Sequence, residues 1–208
     1  MSLRFADRAS LDDLGTFVAR AKYLDATGAA RLSGHGSVLA VYVCPLHGGG
    51  GPDVLGLRTV ALAQEWRGDV VVDLAALTDR FARRNDDAEL ALPPAEAPAA
   101  WAGVSPPRRG WTPAGELDPE LLRSAARDGV TAVAAGVPDV AGAPAVARLR
   151  AGVWSRPLPG TDVPAGAAFA ADGLGFLGPE PVAVLATGPW HRLTTPRGHV
   201  LTRRPLLG

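Results

Sequence analysis

Residues 37–44 read SVLAVYVC, a run that alternates nothing: apolar side chains fall on both faces of an extended chain. A strand of this kind is stable only when both faces are covered, so it predicts a central position in a sheet with further layers above and below. Pro45 cannot donate to a ladder and closes the run. The neighbouring segments supply partners. Ala30–Ser33 reads as a short strand, with Gly34 and Gly36 turning the chain around His35. Residues 54–64 (VLGLRTVALAQ) and 69–74 (DVVVDL) read as two more, joined by the tight connection EWRG. Residues 30–74 are therefore expected to form an antiparallel meander.

Helices flank it. Leu11, Leu14, Val18 and Ala21 recur at helical spacing over 11–24, with Ser10 as the expected cap, Asp13 as a shortened capping box and Gly28 as the stop. A second helix is expected over 74–84, capped by Asp73, with Leu74, Leu77 and Phe81 as its stripe. A third starts at Asp118, where Pro119 takes the first helical position and Glu120 follows; Gly129 is its expected end. Beyond it the pattern predicts strands at about 145–157, 166–177 and 181–187, and a hairpin of 190–195 with 199–204 turning at Pro196-Arg197-Gly198. The predicted class is α+β, with antiparallel sheets and a few helices.

Between the two halves the character changes. Residues 85–117 hold Pro93, Pro94, Pro98, Pro106, Pro107 and Pro113 with many alanines. They divide the chain into an N-terminal α+β lobe (1–84), a Pro/Ala-rich connector (85–117) and a C-terminal strand-rich lobe (118–208). Trp101 and Trp111 lie in the connector. Large aromatics are rarely left in a free spacer, so both are candidate interface residues and imply a homo-oligomer or a protein partner. Each half reads as a capped helix followed by strands, but no residue-level repeat links them.

Composition sets bounds. Apolar residues make up 47%, enough for a core in 208 residues. There is no isoleucine and a single lysine, while arginine, alanine, glycine and proline abound. That bias follows GC-rich codons, so arginine excess alone is not phosphate recognition. The net charge is zero, but residues 140–208 carry 7 basic against 3 acidic groups, which places any anion-binding surface there. Cys44 is the only cysteine, the first ten residues hold no apolar core of leader length, and no run approaches the length of a spanning helix. A cytoplasmic setting without membrane association is expected.

Several residues could carry chemistry. Cys44 and His47 form a Cys-x-x-His pair with His35 upstream and Asp53 downstream, all proper zinc ligands that one strand-end loop could gather. A Cys-His nucleophile pair needs a lowered thiol pKa, which an apolar strand opposes. His47-Gly-Gly-Gly-Gly51 resembles an oxyanion loop, but none of the seven serines sits in a Gly-x-Ser-x-Gly elbow. Gly173-Leu-Gly-Phe-Leu-Gly178 matches a dinucleotide fingerprint by letter, and Pro179 and Pro181 prevent the helix it requires. Residues 121–137 faintly resemble a helix-turn-helix whose second helix has no long polar side chain to read bases. The last segment gathers Arg192, Arg197, Arg203 and Arg204 with Trp190, His191 and His199, a candidate anion site or a solvated, charge-guarded edge.

VLGLRTVALA (54–63) and GPWHRLTTPRGHVLTRR (188–204), with the codon bias, are similar to uncharacterised conserved proteins of high-GC actinobacteria. The resemblance implies no activity and carries over no site residue. The reading from the residues is of unknown function, best described as a non-catalytic binding or assembly protein without a cofactor. The alternatives are an enzyme, metal-dependent through the His35/His47/Asp53 loop, and anion or nucleic-acid binding by the arginine-rich hairpin, with nucleic acid the less expected partner.

Overall fold

The computed structural model describes residues 1–48, 50–84, 87–136 and 142–203. Its fold is α+β: five helices and two antiparallel sheets, of two and seven strands, among the described residues. The chain divides into two compact units, Met1–Pro45 with Leu57–Ser105, and Leu46–Gly56 with Pro106–Gly208.

In the first unit, β1 (Ser2–Arg4) pairs with β5 (Glu89–Ala91). Helix α1 (Arg8–Leu24) turns Leu11, Leu14, Phe17, Val18 and Ala21 inward. Its cap is Asp7, whose carboxylate accepts from the Ser10 backbone N–H at 2.7 Å and from the Ser10 hydroxyl at 2.9 Å. The expected cap, Ser10, is thus the donor within the first turn, and the expected box residue Asp13 pairs with Arg58 instead. Either residue type caps well, so spacing alone did not choose between them.

Strands β2 (Ala29–Leu46), β3 (Val54–Trp66) and β4 (Asp69–Asp73) are ordered β4-β2-β3, and Leu32, Leu39 and Val41 on β2 are fully buried. The expected turn at Gly34–Gly36 is absent, and β2 is one continuous strand of 18 residues. The glycines serve another purpose. Gly34 donates to Gly68 O at 2.8 Å, and a Cβ on it would lie 2.5 Å from the Trp66 carbonyl oxygen. Gly36 takes φ +69°, a left-handed kink inside the strand. Helix α2 (Leu74–Ala82) follows β4 and buries Leu74 and Leu77, as its stripe predicts.

The second unit holds β6 (Thr112–Leu117), β7 (Val182–Thr187), β8 (Trp190–Thr195) and β9 (Gly198–Arg203), ordered β9-β8-β7-β6. Its helices are α3 (Pro119–Gly136), α4 (Ala143–Trp154) and α5 (Ala165–Gly173). Two expected strands, 145–157 and 166–177, are α4 and α5. Five of the nine residues of α5 are buried, and they are Gly166 with four alanines. A helix buried on most sides carries no alternation, so it reads like a buried strand until alanine's helix propensity is weighed.

Gly129 does not end α3. It sits mid-helix where the Trp154 ring crosses, and a Cβ there would stand 2.2 Å from Cζ3 of that ring. Trp154 in turn stacks on Phe169 of α5, centroids 4.7 Å apart. One indole therefore ties the three helices together, and the absence of a side chain at 129 makes room for it. The continuous helix also removes the turn that a helix-turn-helix would need. The Gly173–Gly178 segment leaves a helix rather than entering one: Gly175, at φ +72°, ends α5 with Phe176 N–H bonded to Ala171 O.

Candidate functional site

One opening in the second unit is a cavity of about 670 Å³. One wall is the loop Pro157–Val163 between α4 and α5; the other is Ala114, Val184 and His191 from the sheet. The loop is built by its own hydrogen bonds. Leu158 N–H bonds Val163 O at 2.8 Å, and Ala165 N–H bonds Arg156 O at 2.7 Å. The Thr161 hydroxyl donates to Leu158 O and accepts from Val163 N–H. It is engaged in holding the loop and is not poised as a nucleophile.

The register explains why the sheet presents His191. On β7–β9 the residues Ala186, His191 and Thr202 share one row, and Val184, Leu193 and Val200 share the next on the same face. That face is the core side, with Val184, Leu193, Val200 and Thr202 all buried. His191, 7% exposed, is the ionisable residue in this apolar row, at the cavity wall with Thr161 and Asp162 opposite from the loop.

The opposite face of the same strands carries Trp190, Arg192, Thr194, His199, Leu201 and Arg203. The Arg192 guanidinium lies over the Trp111 ring, 4.7 Å from its centroid. The Trp111 indole N–H donates to Pro107 O at 2.9 Å, which holds the ring. Burial pushes the Arg192 pKa below that of an ordinary arginine, leaving it a cation at neutral pH.

The residues singled out from sequence fall in several separate places. His47 Nδ1 donates to Asp53 Oδ1 at 2.7 Å, both side chains about two-fifths exposed. His35 and Cys44 lie on β2 in the first unit, His35 bonded through Nε2 to Ser33 Oγ at 3.2 Å and Cys44 buried. Among the described residues no three of His, Cys, Asp and Glu gather in a way that could hold a metal ion. Arg197 donates to Leu177 O at 3.4 Å, Arg203 is half-buried, and Arg204 lies outside the described residues. Trp101 is 8% exposed within the first unit, in a short 3-10 helix (Ala100–Gly103). Arg31 secures that segment: it forms a bidentate pair with Asp69 at 2.8 and 2.6 Å and donates to Ala102 O and Ser105 Oγ. No motif marks the wall residues Leu158, Thr161, Asp162 and Val163, since nothing in the sequence links a loop to a strand some thirty residues on. His191 stands out in the sequence only as part of the arginine-rich hairpin.

Residues 1–103 match a family model described as Domain of unknown function (DUF8010), and residues 106–207 match one described as Domain of unknown function (DUF8185). The break between the two matches coincides with the passage between units at Ser105 and Pro106. No curated protein matches the chain. Among the described residues no helix is long and apolar enough to cross a membrane.

Proposed function

We propose that the chain is a non-catalytic binding protein whose ligand sits in the open cavity of the second unit. The carrying observation is the cavity's own make-up. A volume of about 670 Å³ suits a small molecule. Leu158, Val163 and Val184 give it apolar wall, and His191 and Asp162 give it two polar groups of opposite character. That combination fits a small polar ligand with an apolar body, oriented by hydrogen bonds at the imidazole. Binding is favoured over assembly because both connector tryptophans are engaged at home: Trp101 is buried in the first unit and Trp111 lies under Arg192.

The test is a titration of the ¹⁵N-labelled full chain with a broad library of small polar fragments. Binding is expected to move the amide signals of Thr161, Asp162, Val163, Val184 and His191 together. His191→Leu removes the orienting hydrogen bond and should weaken such a ligand about tenfold. Ligands that map to other residues, or a library with no hits, refute the cavity. Turnover of a bound fragment, lost in His191→Gln, replaces binding with catalysis.

A further inference from the structure

A second site lies on the opposite face of β8. We propose that Arg192, stacked on Trp111 and flanked by Arg203, is an oxyanion site that takes the phosphate or carboxylate group of a small molecule.

What surrounds a half-buried guanidinium decides what it can bind. Arginine withdrawn from water is ordinarily compensated by a carboxylate or by carbonyl acceptors. Arg31 in the first unit shows the ordinary case: Asp69 grips it in a bidentate pair that raises its pKa, and Ala102 O and Ser105 Oγ complete it. Arg192 is half-buried too, yet its partner is an indole ring. Its Nε is buried and meets no hydrogen-bond partner among the described residues. A ring stacked on one face of a guanidinium leaves the in-plane N–H donors unused, and those donors form the fork that matches two oxygens of a carboxylate or phosphate.

The neighbours reinforce this. Arg192 pairs with Leu201 across the strands, and Trp190 pairs with Arg203, so Arg203 is the diagonal neighbour of Arg192 on the same face. Diagonal neighbours lie within reach of long side chains, and two guanidinium groups can share one oxyanion. On strands β6–β9 this face carries one carboxylate, Glu116 on β6, opposite Ala183, with Ala183 and Thr194 between it and His199. The site is local. Arg197 is committed to the Leu177 carbonyl, and Leu185 and Leu201 border Arg192 on either side, so among the described residues of β7–β9 no basic track runs across the strands as a nucleic-acid backbone would require.

The experiment follows the Arg192 Nε–Hε and Trp111 indole signals of the ¹⁵N-labelled full chain at constant ionic strength. Inorganic phosphate is titrated in one arm, acetate in the other, and sodium chloride is the control. Saturable movement of both signals is expected, while the exposed Arg108 and Arg109 follow the control. Saturation with phosphate alone assigns a phosphorylated ligand, with acetate alone a carboxylate, with both a general oxyanion pocket. Arg192→Lys keeps a charge and loses the fork, and should weaken the interaction at least tenfold. Arg203→Gln, at a less enclosed position, should weaken it several-fold and serves if the first variant does not fold. Linear shifts equal to the chloride control in both arms overturn the proposal, as does saturation undiminished in both variants. Neither result touches the cavity, because His191 and Val184 face the other side of the sheet.

Discussion

Replacing Gly129 by alanine sets two effects of opposite sign against each other. In a helix interior, alanine is favoured over glycine by about 1 kcal/mol. A methyl group at 129 would meet Cζ3, Cη2 and Cε3 of Trp154 at 2.2, 2.6 and 3.1 Å. Carbon atoms pack at about 3.5–4.0 Å, so ring and helix must part by more than about 1 Å. Trp154 is buried and backed by Phe169, which leaves its ring little room to retreat. Overpacking of this kind costs about 1–3 kcal/mol, and so large an overlap belongs at the upper end. The net expectation is a loss of about 2 kcal/mol, or roughly 4–8 °C in Tm for a chain of this size. Urea melts followed by circular dichroism would measure it. Gly152, exposed in α4 with nothing near the added methyl, is the control: Gly152→Ala should gain about 0.5–1 kcal/mol. A cycle with Trp154→Phe isolates the cause, since removing the outer indole ring should abolish the penalty at 129. Gly129→Ala as stable as the parent, or equally harmful in the Trp154→Phe background, would refute the packing argument.

Arg31→Met should release the segment around Trp101 from β2 and β4 at a cost of about 1–2 kcal/mol, discounted because Asp69 is partly exposed. Faster hydrogen exchange at Val104 and a red-shifted Trp101 emission would show it; unchanged values of both would refute it. Asp7 gives a pH test. The Ser10 backbone N–H, then its hydroxyl, hold the Asp7 carboxyl below its ordinary value. A lowered folded-state pKa means the cap's contribution is fully present above the ordinary value of 3.8 and is lost as pH falls through the folded value. The first turn of α1 should therefore fray in acid. Asp7→Asn keeps an acceptor and should remove that pH dependence, which amide exchange near Ser10 would report; an identical acid profile in the variant would contradict the assignment.

Local pattern is enough wherever one residue type has one structural use. Pro119 after Asp118 places the start of α3, Leu74 and Leu77 place α2, and Pro196-Arg197-Gly198 places the β8–β9 turn. The α+β class follows from those elements. Glycine and alanine are harder to read because their roles depend on what approaches them. Gly34 and Gly36 suggest a turn and are a close contact and a kink within β2; Gly129 suggests a stop and is a seat for Trp154. The alanines of α5 suggest a strand because burial on most sides erases periodicity.

The candidate sites divide along the same line. The sequence by itself determined that Trp190, His191, His199 and four arginines fall together within residues 190–204, and that Cys44 lies in an apolar strand. Tertiary structure alone decided which face each occupies. Strand register sends His191 to the core side, toward the Pro157–Val163 loop, and Arg192, its neighbour in the chain, to the other side over Trp111. The physical reason is the two-residue period of a strand: neighbours in sequence are opposites in space, and their partners come from segments whose approach no local pattern encodes.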